Sequence, residues 1–395
     1  MIADLAARFT AYYAKAPQCF FSAPGRTELG GNHTDHQHGL VLAAAVDLDV
    51  RAAVVANDLN SIRVFSEGYP LCTVKLPAGA PLPGEYGSST ALIRGVAARF
   101  AQLGKKVCGF DAYVASDVYP GSGLSSSAAF EVLMGVILNH LGDCGLTAPE
   151  IAEIGQYAEN VYFGKPCGLM DQMTSAVGGV ISIDFADPKQ PRVTPIAFDL
   201  DAHGYALCIV NTGADHVDLT NAYAAIPAEL REISHYFGKE YLRDVAEADF
   251  FRSLQTLRKQ CGDRAVLRAI HVFEENRRVL RQIAALERND LTHFLAQVDA
   301  SGRSSWTYLQ NVIPEGQNRC QELALALALA QRLLDGHGAC RVHGGGFAGT
   351  IQAFVPLTRL SDFSAGMEAV FGKGCCRKLS IRPTGGILLH QEGFI

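Results

Sequence analysis

Several features are scarce in this sequence, and each scarcity removes a class of function. No block of five or six basic residues occurs, and the densest basic cluster, of the Arg277-Arg278 kind, lies within a helical pattern. With a formal net charge of -6 and a pI near 6.1, the chain lacks the basic stripe on which nucleic-acid binding runs, so nucleic acid is not an expected partner. A few local cations and backbone N–H groups can still hold a phosphate on an acidic protein. No long apolar run is present either. The stretch from Leu40 to Ala56 is broken by Asp47, Asp49 and Arg51, which reads as a pair of strands and not as a membrane span. The N-terminus has no basic region followed by an apolar stretch, so neither a signal peptide nor a membrane is expected, and a cytoplasmic location is. The eleven cysteines are odd in number and include no Cys-x-x-Cys. That pattern fits reduced thiols used as small apolar residues.

What is present is the material of a globular enzyme. Of 395 residues, 48% are hydrophobic and 19% charged, enough for a sizeable core, and the length suggests two domains. Helical spacing marks residues 4–14, 91–103, 126–141, 149–160, much of 222–300, and 319–334. Strand patterns mark residues 19–24, two within 41–56, then 109–118, 178–185, 205–211, 349–355 and 377–381. Residues 70–86 read as loop. Helices and strands mix within each half, which predicts an α+β protein with a boundary near 185–205, dividing it into 1–195 and 196–395.

Four constellations carry chemistry. Pro120 to Ala129 (Pro-Gly-Ser-Gly-Leu-Ser-Ser-Ser-Ala-Ala) follows a predicted strand and opens a predicted helix. Glycines allow close backbone approach to an anion, and the first helical N–H groups point at it. The bland reading is a serine cap, but a cap needs one serine, not three behind two glycines. The loop from Ala23 to His36 packs Arg26, Glu28, Asn32, His33, Asp35 and His36 among glycines. It could line a polar sugar pocket, ligate a metal through His33, Asp35, His36 and His38, or be a solvated turn; the residues alone leave all three open. Asp171, in Gly168-Leu169-Met170-Asp171, reads as a partly buried acid or base, or as a helix cap. His343 to Gly349 carries a Gly-x-Gly-x-x-Gly that precedes a strand, so it is not a Rossmann fingerprint. A glycine turn closing over phosphates is the functional reading.

In this order the four constellations resemble the GHMP sugar and metabolite kinases, and galactokinases most closely. The galactokinase signature Gly-Arg-x-Asn-x-x-Gly-Glu-His-Thr-Asp-Tyr is similar to Gly25 through His36, with Glu28 where the family has Asn and Asn32 where it has Glu. Ser89 and Leu92 stand where aromatics often frame adenine. The resemblance implies a two-domain GHMP-type fold with its active site in the inter-domain cleft. It implies a kinase that phosphorylates the anomeric hydroxyl of galactose or a close relative such as galacturonate, with ATP and Mg²⁺. By position, Asp171 is the expected base and Arg26 its cationic partner. Glu28, Asn32, His33, Asp35, Gly168 and Tyr223 are expected at the sugar. Gly121, Ser122, Gly123, Leu124, Ser125, Ser126, Ser127, Ala128, Gly345 and Gly346 are expected at ATP, and Ser127 and Glu159 at Mg²⁺. The expected partners are the sugar and ATP, with neither nucleic acid nor a membrane, and a monomer is plausible. The rivals are a zinc hydrolase and a non-catalytic sugar sensor; the intact Ser127-Ala128 pair argues against the sensor.

Overall fold

The computed structural model describes residues 2–118, 123–213 and 219–389. In chain order the strands are β1 (Cys19–Gly30), β2 (Leu40–Ala56), β3 (Ser61–Ser66), β4 (Cys72–Lys75), β5 (Phe110–Ser116), β6 (Val180–Asp184), β7 (Arg192–Ile196), β8 (Tyr205–Asn211), β9 (Ala339–Val342), β10 (Thr350–Pro356), β11 (Cys376–Leu379) and β12 (Ile387–Leu389). Among the described residues they form an eight-stranded sheet, ordered β12-β1-β2-β5-β3-β4 with β6 and β7 added through β2, and a four-stranded sheet ordered β11-β8-β10-β9. The chain changes sheets between Ile196 and Tyr205, and β12 returns to the first sheet beside β1.

Residues 40–56 form one strand, not two. β2 keeps β1 along most of its length but exchanges its other neighbour: Leu40–Ala44 pair with β6 and Val50–Ala56 with β5. The exchange falls at Asp47 and Asp49, the polar break that reads as a turn in the sequence. Asp47 instead bonds the returning C-terminal segment, accepting from the Ser380 N–H at 3.0 Å. On either side Val41, Leu42, Val46 and Val54 are fully buried, each contributing roughly 1.5–3 kcal/mol.

The helices Ser126–Gly142 and Met170–Val177 pack against β1 and β2. Ala43, Ala44 and Ala45 are all fully buried there, and their small side chains let helices lie close. In the second sheet the two faces separate by period two. Ala206, Cys208 and Val210 face the helices Glu322–Leu334 and Leu360–Phe371, while Leu207 and Ile209 join the main core. The helical stretch 222–300 is realised as five helices, the longest being Asp263–Glu287. No helix among the described residues is long and apolar enough to cross a membrane.

Two helices end in a widened π turn, at Ala158–Phe163 and Ser305–Leu309. The first follows a capping box in which Thr147 and Glu150 bond each other's backbone N–H. π turns are uncommon and concentrate at functional sites, and both of these carry residues that meet in the site.

Candidate active site

The centre of the site is an ion pair between β1 and the helix Met170–Val177. Arg26 donates from Nε to Asp171 Oδ1 at 2.6 Å and from Nη2 to Oδ2 at 2.7 Å, while Nη1 donates to the Gly123 carbonyl at 2.6 Å. Asp171 stands in the first turn of its helix without capping it, so the cap reading fails. The Ser125 hydroxyl also donates to Oδ2. The Arg26 side chain is 8% exposed and that of Asp171 28%, so the carboxylate is the half of the pair that opens on the cleft. Burial pushes the Asp171 carboxyl up, but Arg26, the Ser125 hydrogen bond and Lys165 outweigh it and hold the carboxyl below its usual range.

Beside this pair the Gly/Ser loop enters the helix Ser126–Gly142. Gly123 and Ser125 both take positive φ, 73° and 57°. Despite three consecutive serines, the side chain of the N-cap residue Ser125 makes no cap bond, so among the described residues the leading N–H groups of this helix have no side-chain cap. A terminus left in that state suits an anion. The side chains of Leu124 and Ala128 point into the core, leaving only their backbone for a ligand. Gly121 and Ser122 lie outside the described residues. The Ser127 hydroxyl donates to Glu159 Oε1 at 3.0 Å, and the Gln172 amide donates to Glu159 Oε2 at 2.8 Å and Glu131 Oε2 at 2.9 Å. Lys165 lies 3.3 Å from Glu159. Glu159 is brought inward by the first π turn and is 2% exposed. Glu131 is fully buried, and burial followed by the charge of Glu159 pushes its carboxyl well above the usual range. A hydroxyl and one carboxylate form a hard-oxygen set of the kind Mg²⁺ uses when phosphates and waters complete its shell.

The loop 31–38 lies across the cleft. His33, at φ 60°, puts Nε2 3.0 Å from the Gly345 carbonyl. A carbonyl only accepts, so the proton sits on Nε2 and Nδ1 is an acceptor; that buried atom has no partner among the described residues. Burial, then the neighbouring His36, pull the His33 imidazole down to about 3. A neutral ring with an orphaned acceptor is what a sugar hydroxyl can satisfy. Gly168 is needed for contact with Asp35, because a Cβ there would lie 2.1 Å from Asp35 Oδ2. Tyr223 donates to the Gly346 carbonyl at 2.5 Å, and a Cβ at Gly345 would lie 2.3 Å from its ring. The four candidate metal ligands do not converge: His38 stacks on Tyr241 at 3.6 Å while His33 faces the glycine turn.

Two expected sugar contacts are otherwise engaged. Glu28, 4% exposed, is ion-paired with the fully buried Arg341 of β9. Asn32, 1% exposed, donates to the Gly344 carbonyl at 2.7 Å and to Glu28 Oε1 at 3.3 Å. Its oxygen accepts from Asn311 at 2.8 Å and Ser305 at 3.2 Å. The exchange of amide and carboxylate therefore serves a buried junction between the sheets, and Asn32 has no free group with which to read a hydroxyl. Asn32 therefore offers no group that would favour galacturonate over galactose. Leu92 is likewise a core residue, 3% exposed.

Sequence reading does not reach Glu131, Lys165, Ser305, Asn311, Arg341 or Glu275. Glu275 accepts from the Gly31 N–H at 3.1 Å and the Ser301 hydroxyl at 2.6 Å and so braces the loop 31–38. Only Glu131 leaves a local signal, a lone carboxylate inside the apolar run from Ala128 to Met134.

An anion-ready helix terminus, an ionised carboxylate clamped by arginine, and a glycine turn across a cleft define a small-molecule phosphotransferase, and known proteins narrow the class. Residues 91–179 match the family model for the GHMP kinases N terminal domain, and residues 7–56 match the galactokinase galactose-binding signature. The galactokinase of Streptomyces coelicolor is 34% identical over 92% of this chain and 91% of its own length. That of Actinobacillus pleuropneumoniae serotype 3 is 31% identical over 88% of each. Among solved structures, Lactococcus lactis galactokinase complexed with galactose superposes with a TM-score of 0.85 at 23% identity, covering 98% of this chain and 100% of that one. L. major mevalonate kinase does so at 0.63 and 16% identity, covering 93% and 97%. The fold is that of the GHMP kinases. The chain belongs to the galactokinase family.

Proposed function

We propose that this protein phosphorylates galactose at its anomeric hydroxyl, taking the γ-phosphoryl group from ATP. The observation that carries the reading is the bidentate Arg26–Asp171 pair, placed between the uncapped Ser126 helix terminus and the loop bearing His33 and Asp35. Relatives 34% and 31% identical over most of the chain are galactokinases, and one neighbour of the same fold is complexed with galactose.

In this reading the residues before 196 and those after it act as two domains, closed by the returning β12. His33 Nδ1 and Asp35 accept from sugar hydroxyls. Backbone N–H groups of residues 123–128 and the turn Gly345-Gly346 hold the triphosphate. Ser127 and Glu159 hold Mg²⁺, which when bound neutralises charge on the phosphate oxygens. The anomeric oxygen attacks the γ-phosphorus, the bond from that phosphorus to the ADP oxygen breaks, and the hydroxyl proton passes to Asp171. A carboxylate with a depressed pKa is a weak base. That suffices here, because phosphoryl transfer passes through a loose transition state in which placement and charge matter more than early proton removal. Arg26 keeps Asp171 ionised and aimed, and adds positive charge near the developing alkoxide.

The test is ADP release with ATP, Mg²⁺ and a panel of hexoses, with the product site assigned by NMR. Galactose 1-phosphate is the expected product. Failure to turn over galactose, with ATP bound, would refute the substrate assignment.

A further inference from the structure

A chain of buried polar groups crosses between the two sheets, and the transfer step above does not use it. Thr27 on β1, His343 just beyond β9, and Thr350 and Gln352 on β10 are 0%, 3%, 1% and 0% exposed. The Gln352 amide donates to Thr27 Oγ1 at 2.7 Å and to the Glu28 carbonyl at 3.0 Å. Thr27 Oγ1 lies 3.0 Å from His343 Nε2, and His343 Nδ1 lies 3.0 Å from Thr350 Oγ1.

An amide nitrogen only donates, so Thr27 Oγ1 accepts from Gln352. The neutral ring of His343 bridges Thr27 and Thr350, donating to one hydroxyl and accepting from the other. Burial, then the charges of Arg26 and Arg341, hold the imidazole well below its usual range, so it stays neutral. The chain ends against Gly123. A Cβ at Gly123 would lie 2.6 Å from Thr350 Oγ1 and 2.7 Å from His343 Nδ1, so the Gly123 backbone rests directly on this pair. The carbonyl of that glycine is the third acceptor of Arg26, at 2.6 Å.

We propose that His343 is a positioning residue for the transfer: with Thr350 it seats Gly123, whose carbonyl in turn holds Arg26 against Asp171. This rests on the roles given above to Arg26 and Asp171. The second sheet thereby sets the geometry of a pair located wholly in the first part of the chain. A loosened Gly123 lets the guanidinium rotate off Asp171 and slackens one of the backbone groups given above to the triphosphate, while the groups given to the sugar are untouched.

The experiment is steady-state kinetics on wild type, His343→Leu, His343→Asn, Thr350→Val and the Leu/Val double variant, with galactose and ATP each varied. Misplacement of about 1 Å can cost roughly a hundredfold, and a loss of kcat of about tenfold or more is expected for His343→Leu, with the KM for galactose little changed and that for ATP raised by a smaller factor than kcat falls. His343→Asn retains a polar group, both donor and acceptor, for Thr350 and should recover much of the loss. The double variant should be no worse than the poorer single one, since the two residues act as a unit. A His343→Leu enzyme with wild-type kcat would overturn the proposal, as would additive losses or equal loss in the Leu and Asn variants. If His343→Leu does not fold, Thr350→Val decides: wild-type kcat there overturns it. An inactive wild type would sink the substrate reading itself and this inference with it, whereas an active wild type with indifferent variants sinks this inference alone.

Discussion

Asp171 keeps its charge at a position where burial alone would remove it. Two arginine nitrogens and the Ser125 hydroxyl hold both carboxylate oxygens, and the helix N-terminus adds a favourable field. Asp171→Asn keeps the shape but can neither accept a proton nor pair with Arg26 as a charge. Turnover should fall by about 10²–10⁴-fold, while the dissociation constant for ATP, measured by direct titration, stays near the wild-type value. Because the carboxyl lies below its ordinary pKa of about 3.9, it is ionised throughout the neutral range. The pH profile of kcat should show no acid limb from this group above that value, and an acid limb abolished by Asp171→Asn at pH 6–7 would contradict the assignment.

The two π turns and the Gly/Ser loop act at the scale of elements. A regular continuation of the helix Ala148–Tyr157 would turn Glu159 differently; the widened turn delivers it to Ser127 and Gln172. Glu159→Gln replaces one acceptor oxygen with a donor facing the donors of Gln172, Lys165 or Ser127. The Mg²⁺ concentration for half-maximal rate should rise by about tenfold or more, comparable with losses seen on disturbing metal sites, while the KM for galactose stays nearly constant. An unchanged Mg²⁺ dependence would remove Glu159 from the metal set. Glycine replacement in the Gly/Ser loop is a poorer probe. Gly123→Val would strike Thr350 and His343, so weakened ATP binding in that variant would not separate phosphate approach from packing.

At the scale of the whole molecule, the contact between the two sheets has a buried polar seam beside the apolar part formed by Leu207, Ile209 and Phe354. It includes the Glu28–Arg341 pair, the Asn32 junction and the His343 chain. His33 and His343 are buried and depressed below their usual pKa, which gives stability a definite pH dependence. Unfolded imidazoles take up protons below about pH 6.5, and the folded ones resist, so the unfolded state binds more protons there. Their contribution is complete above about pH 6.5 and declines as pH falls, by up to about 1.4 kcal/mol per pH unit for each group. The urea midpoint should be flat between pH 8 and 7 with respect to these groups and fall from pH 6.5 to 5. A midpoint that rises in acid would show that these histidines are protonated in the folded protein.

The sequence by itself determined the local chemistry. The Gly/Ser loop before a helix, the glycine-rich loop with Arg26 and His33, the turn ahead of Asp171 and the second glycine turn are all legible. Turn residues, caps and periodicity act over a few neighbouring positions. The long helices were legible for the same reason. Short strands such as β3, β4, β7 and β9 were not, since four to six residues carry too little period to stand out. Only the tertiary structure decided who meets whom. Arg26 finds Asp171 across 145 positions, Asn32 finds Asn311 across 279, and Glu28 finds Arg341 across 313. The family resemblance put Glu28 at the sugar, but the partner that claimed it is an arginine on the other sheet. A buried carboxylate goes to the charge that can compensate it, and which charge lies within reach depends on how the sheets stack, a relation that residues hundreds of positions apart do not record locally.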